Sequence, residues 1–137
     1  MSEPEEKPAY KLKVVGDLDF YEVVEAFKKA LKEHKTYDAC FWAFLLNQSD
    51  YHKFIFKTLA YYASRQIGNS DPEASIVVNS LWNSYNLCIV KANRKTEEAL
   101  GFIFQAIAYL CNSNVNIEVL IERVVKKFCS GRWRKMI

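Results

Sequence analysis

The chain has 137 residues, half of them hydrophobic, a formal net charge of +3, and only four glycines and three prolines. That length supports one domain with its own core and no need of staples. So few turn residues favour long helices over a many-turned sheet. The longest apolar run, residues 39–46, is far short of the ~20 residues that span a bilayer, and residues 1–9 are acidic and proline-containing, unlike a secretory leader. The expectation is an intracellular chain, cytoplasmic or nuclear, with no membrane partner.

Taken in order, residues 1–9 read as disordered and residues 10–15 as a loosely extended segment, so that residues 1–16 precede the helical domain. Asp19 starts the first helix, with Glu22 three residues on as an acidic capping-box variant. Phe20, Val23, Val24, Phe27, Ala30 and Leu31 keep the helical period. Lys28, Lys29 and Lys32 lie on the opposite face, a solvated face or a phosphate-binding one. A second helix over residues 37–46 is apolar nearly all round. It is expected to be either central in the domain or partly covered by another chain. That character, in a chain with twenty aromatic residues, points to a homo-oligomer, a dimer or tetramer.

Residues 47–50 break this helix, and Ser49 or Asp50 is expected to cap the third, whose stripe is Tyr51, Phe54, Ile55, Thr58, Leu59, Tyr62 and Ala63. Gly68 suits the left-handed residue that closes it. Asp71 then caps a fourth helix with Pro72 at its first position, and the two helices lie antiparallel. Ala74, Val77, Val78, Leu81, Tyr85, Cys88 and Ile89 form the fourth helix's register. Thr96 caps a fifth, with Glu97 and Glu98 in its first turn; it is apolar on two faces and expected to be central. Ile117, Leu120, Ile121, Val124, Val125 and Phe128 give the sixth a clean stripe, with Gly131 after its end. The fold class is all-α, a single-domain bundle of five to six helices over residues 17–130, followed by a basic tail at 131–137.

The chemistry of catalysis is not legible. There is no G-x-x-x-x-G-K-[ST], and four glycines leave no phosphate-cradling loop. His34 and His52 read as exposed or capping. Cys40, Cys88, Cys111 and Cys129 share no metal-ligand spacing and read as buried reduced thiols. No nucleophile, base and orienter assemble by spacing. No enzyme, cofactor or metal is expected. Residues 117–137 hold six Lys/Arg against two Glu. Here Lys126, Lys127, Arg132, Trp133, Arg134 and Lys135 are the candidate nucleic-acid contacts, with charge for phosphates and an indole for base stacking. The same Trp can instead dock on the domain, lie in a disordered tail, or meet a protein partner.

The stretch Ala63-Ser64-Arg65-Gln66-Ile67-Gly68-Asn69-Ser70-Asp71-Pro72 resembles the pattern A-S-E-D-I-G-x-A-D-P. It is the pattern of the replication-associated recombination protein A family (RarA, also called MgsA), clamp-loader-related AAA+ ATPases that include the Werner helicase-interacting protein. Gln105-Ala106-Ile107-Ala108-Tyr109-Leu110 is similar to the family's Q-A-x-x-Y-L. Upstream, Ala26-Phe27-Lys28-Lys29 and Ala39-Cys40-Phe41-Trp42 parallel its A-F-x-K-S-like and A-A-x-Y-W-L-like helices, in the same order over residues 20–112. The chain departs where Arg65-Gln66 replaces the family's acidic pair, and where Cys111-Asn112-Ser113-Asn114 stands for A-P-K-S-N. It also lacks the ATPase module. The resemblance implies a helical collar that assembles subunits in DNA replication or repair, with replication or repair proteins as partners, and it implies no ATP hydrolysis here. The alternative reading is a small single-stranded nucleic-acid-binding protein that uses its basic C-terminus.

Overall fold

The computed structural model describes residues 13–67, 71–92 and 97–135. It is an all-α single-domain bundle of six helices with one small antiparallel hairpin. The hairpin pairs β1 (Lys13–Val14) with β2 (Leu18–Asp19) and turns through Gly16 and Asp17, both at positive φ. The helices are α1 (Phe20–Lys32), α2 (Thr36–Gln48), α3 (His52–Tyr62), α4 (Ala74–Ala92), α5 (Glu97–Leu110) and α6 (Ile117–Ser130). A π-helical turn, Ala63–Ile67, extends α3, and a 3-10 turn, Arg132–Lys135, follows α6. No described helix is long and apolar enough to cross a membrane.

Two helices form the interior. In α2 every residue from 39 to 47 is buried, because the helix packs against α1, α3, α5 and α6 at once. Its all-round apolar surface is therefore absorbed by the chain's own core. Of the two alternatives the sequence leaves open, the central position is the one adopted, and residues 39–47 are covered without another chain. Helix α5 is equally internal, with Leu100, Ile103, Phe104, Ile107 and Leu110 buried between α4, α2 and α6. Among the described residues the buried polar side chains are Thr36 and Asn47, and Asn47 Oδ1 accepts the Tyr85 hydroxyl at 2.6 Å. A buried amide of this kind has to be partnered, since leaving it unpaired costs about 1–3 kcal/mol.

Helix ends explain how so few glycines suffice. At the end of α1, Lys35 N–H donates to the Ala30 carbonyl and His34 N–H to Leu31, with His34 at φ 58°. Asp50 (φ 69°) does the same after α2, and Asn112 (φ 54°) after α5. These are Schellman closures, which ordinarily recruit glycine. Here a His, an Asp and an Asn take the left-handed position, types whose polar side chains tolerate it better than most. Among the described helix ends, α6 closes on a glycine, Gly131 at φ 74°.

Some helix starts follow the sequence reading and others do not. Asp19 accepts the Glu22 N–H at 3.1 Å and Asp71 that of Glu73, while Asn116, not singled out from the sequence, accepts that of Val119. Helix α4 begins at Ala74, so Pro72 lies in the turn before it. Neither Ser49 nor Asp50 caps α3: Tyr51 occupies the cap position without a side-chain bond. The Ser49 hydroxyl is engaged elsewhere, accepting the Val15 N–H at 2.8 Å and donating to the Leu45 carbonyl. It thereby pins the hairpin to the end of α2. The expected left-handed Gly68 and the Thr96 cap lie outside the described residues.

The buried-thiol expectation holds for Cys40 and Cys111 and fails at the edges. Cys88 is half-buried and Cys129 exposed, since Cys129 falls beside the α6 stripe. None of the four is in a disulfide. His34 is exposed as expected, whereas the half-buried His52 ring packs 5.5 Å from Tyr85 in a cluster with Phe56 and Trp82.

Candidate functional site

The residues singled out in the basic tail converge at the C-terminal end of α6. After Gly131 the chain folds back, and Trp133 drops between α2 and α6. Its ring stacks on Phe128 at 5.4 Å and meets the Phe41 edge at 5.7 Å, and its Nε1–H donates to the Phe128 carbonyl at 2.8 Å. The tip of the indole lies against Gly16, so close that a Cβ there would sit 2.5 Å from Trp133 Cη2. The ring is 1 % exposed. Trp133 is a packing residue that locks the hairpin to α6. As docked, it presents no face on which a base could stack.

Three of the other five candidates do come together. Lys126, Lys127 and Arg132 line a shallow depression of about 560 Å³ with Tyr37, Ser130 and the rim of Trp133. A fourth cation, Arg123, belongs to this set and was not singled out from sequence. The signal was present: Arg123, Lys126 and Lys127 recur at helical spacing, which places them on one face. The rings beneath are already occupied. The Arg123 guanidinium lies 4.6 Å from the Tyr37 centroid, and Lys127 Nζ lies 5.3 Å from Tyr37 and 4.7 Å from Phe41. Burial pushes the Tyr37 hydroxyl pKa up, with Arg123 partly opposing it. The backbone of Arg134 and Lys135 continues the turn, while their side chains lie outside the described residues. Chemically this face can attract phosphates or carboxylates as a cluster of charges.

A second surface differs in kind. Helix α4 runs along the outside, and in its 19 residues the only charged side chain is Lys91. Its inner face buries Ala74, Val78 and Tyr85, yet Ile76, Leu87 and Val90 are 66 %, 72 % and 76 % exposed. At about 100° per residue, Ile76, Ser80, Asn83, Leu87 and Val90 fall within an ~80° stripe along the outer face. The turn before α4 is held by Asp71, which also accepts the hydroxyl of Tyr109 from α5. That bond pushes the Tyr109 pKa up.

A third feature is a groove of about 930 Å³ between α5 and α6, edged by Glu97, Glu98, Glu118 and Glu122 with Lys126 at one end. Among the described residues, no three His, Cys, Asp or Glu side chains stand close enough together to hold a metal ion.

Fold and surfaces together define an all-helical single-domain bundle with a cationic end and an apolar outer helix. Compared with known proteins, the chain matches no family model, no curated protein and no solved structure.

Proposed function

We propose that this chain is a non-catalytic helical interaction domain that pairs with a second copy of itself through the outer face of α4. The observation that carries the reading is the exposed Ile76, Ser80, Asn83, Leu87, Val90 stripe on a helix nearly free of charge. Three of these five positions are apolar, Ile76, Leu87 and Val90, with the small polar Ser80 and Asn83 between them, and an exposed stripe at alternating four- and three-residue spacing is what a helix presents to another helix. Polarity of charge argues for a copy of the same chain. Glu73 stands at the start of the stripe and Lys91 at its end, both on the same edge. An antiparallel, two-fold arrangement centred near Asn83 sets Ile76 opposite Val90 of the other copy and Glu73 near its Lys91, as an isologous interface requires.

The setting of DNA replication or repair comes from the resemblance described above. It is supported by the contact between Asp71 and Tyr109, which joins the two stretches that carry most of that resemblance. Size-exclusion chromatography with light scattering tests the pairing. A dimer or larger mass is expected at tens of micromolar, and Leu87→Glu should return the mass of one chain without loss of helical signal. A wild-type mass of one chain at that concentration would remove the reading.

A second reading is favoured by the gathering of Arg123, Lys126, Lys127 and Arg132 at one depression: a phosphate-backbone contact that uses charge alone. Charge reversal at Arg123 and Lys126 should then reduce oligonucleotide binding and its salt dependence equally for all sequences.

A further inference from the structure

From the groove between α1 and α3, we infer that this face binds single-stranded nucleic acid, with a base stacked on Tyr61 and phosphates held by lysines. The groove encloses about 340 Å³ and is lined by Lys28, Lys29 and Lys32 of α1 and by Thr58 and Tyr61 of α3. That volume lies in the range of sites that enclose small ligands. Its floor is fixed, because Tyr62 crosses from α3 to donate its hydroxyl to the Leu31 carbonyl of α1 at 3.2 Å.

Three features converge here. All three lysines are exposed, and none makes an ion pair among the described residues. Glu25 is the one carboxylate in the lining. Tyr61 is 60 % exposed although it is a large aromatic on a well-packed helix. Finally, the Arg65 guanidinium lies 5.6 Å from the Tyr61 centroid, on the π-helical turn. A cationic side chain poised over an exposed ring can sandwich a planar group against it, and guanidinium planes stack on bases as they do on aromatics. Isolated π-helical turns recur at functional sites, and this one sets Arg65 over Tyr61.

The combination selects the ligand. An acidic peptide would use the lysines and leave the exposed ring without a role. A single strand uses both, since every base offers a π-face and every nucleotide a phosphate. Lys28 and Lys32, one turn apart, give a row of charge along which a backbone can run. With Lys29 and Arg65, about four phosphates are neutralised at most, so the logarithm of affinity should fall against the logarithm of salt no more steeply than about −2.8. This inference stands apart from pairing through α4, and a monomeric Leu87→Glu chain should bind as well as the wild type.

The test is fluorescence anisotropy of a labelled ten-nucleotide oligothymidylate titrated with the full chain at low salt. Tyr61→Ala should weaken binding roughly 5- to 150-fold, the effect of losing one stacked base. Tyr61→Phe, which keeps the ring, should stay within about twofold of the wild type on the same grounds. Lys28→Glu with Lys32→Glu should weaken binding further and flatten the salt dependence. All these positions are on the surface, and circular dichroism checks that the variants fold. Oligothymidylate that fails to bind, or a Tyr61→Ala chain that binds normally, overturns the inference. So does loss of binding on Arg123→Glu alone with Lys28 and Lys32 intact. Thymidine monophosphate binding as tightly as the oligonucleotide would overturn the assignment to a strand.

Discussion

The C-terminal turn and the α1–α3 groove hold the same kinds of side chain, a few cations about an aromatic ring, and use the ring in opposite ways. Trp133 sits between Arg132 and Arg134 in sequence, yet its indole is sealed between Phe128, Phe41 and Gly16. Tyr61 has no basic residue within three positions in sequence, and its ring is open to solvent with the α1 lysines and Arg65 around it. Adjacency along the chain thus says little about whether an aromatic face is free. The partner that decides is contributed from far away: Gly16 and Phe41 for Trp133, and the α1 lysines for Tyr61.

The sharpest way to break this contrast is to remove each ring. Trp133→Ala should cost about 3–5 kcal/mol of stability, as for other large-to-small changes in a core. Tyr61→Ala, at the surface, should stay within about 0.5 kcal/mol. Urea unfolding of both variants measures the difference, and a Trp133→Ala chain as stable as the wild type would return the indole to the surface.

Gly16→Ala comes next. It adds a Cβ 2.5 Å from the indole at a residue with φ 84°. The steric and backbone penalties together should cost about 2–3 kcal/mol. Gly131→Ala isolates the backbone penalty, because nothing lies within 4 Å of its added Cβ; about 1 kcal/mol is expected there. Equal costs at the two glycines would mean that Trp133 does not press on the hairpin.

Buried hydroxyls and thiols extend the comparison to pH. Burial raises the pKa of Tyr85 and Tyr62 above the ordinary 10.0, and of Cys40 and Cys111 above 9.0. Below those ordinary values both folded and unfolded chains keep the protons, and stability does not respond. Above pH 9 to 10 the unfolded chain loses them first. Stability should then fall by up to ~1.4 kcal/mol per pH unit for each group in its window. Chemical denaturation at pH 8, 9.5 and 10.5 reads this, and Tyr85→Phe should make the alkaline loss shallower. At neutral pH the same variant should cost about 1–3 kcal/mol by removing the buried Tyr85 hydroxyl from Asn47 Oδ1. The smallest effect expected is a gain. Asn112→Gly, at φ 54°, should stabilise by about 0.5 kcal/mol.

Much of the fold could be read from residues because local signals and packing agree. Asp19 with Glu22 marks the start of α1, and the Ile117–Phe128 stripe marks α6 as a helix with one buried side. The all-round apolar residues of α2 indicated an internal helix, though the sequence left open what would cover it. Other features depend on distant partners. Ser49 has the right type to cap α3, but the hairpin's Val15 N–H engages its hydroxyl. Three helix ends close on His34, Asp50 and Asn112, where a search for glycine finds nothing. Of the proposed tail site, Lys126, Lys127 and Arg132 do share a surface, because helical spacing and a left-handed Gly131 are local properties. Docking of Trp133 on the domain was one of the readings the sequence left open; the choice was not legible because, beyond Phe128, its pocket is built from Phe41 and Gly16, more than ninety positions upstream.

The wedge of Trp133 against Gly16 has a mechanical meaning. Two segments near opposite ends of the described chain touch through one side chain, so tension applied at those ends bears on that contact together with the bonds that tie Lys13 to Tyr51 and Val15 to Ser49. In a single-molecule pulling experiment the hairpin should release first, as a small early extension, with the helices yielding together at higher force. Trp133→Ala should lower the force of the early step and leave the later one. The indole is then a clasp, one of the contacts that hold the two ends of the described chain to the bundle.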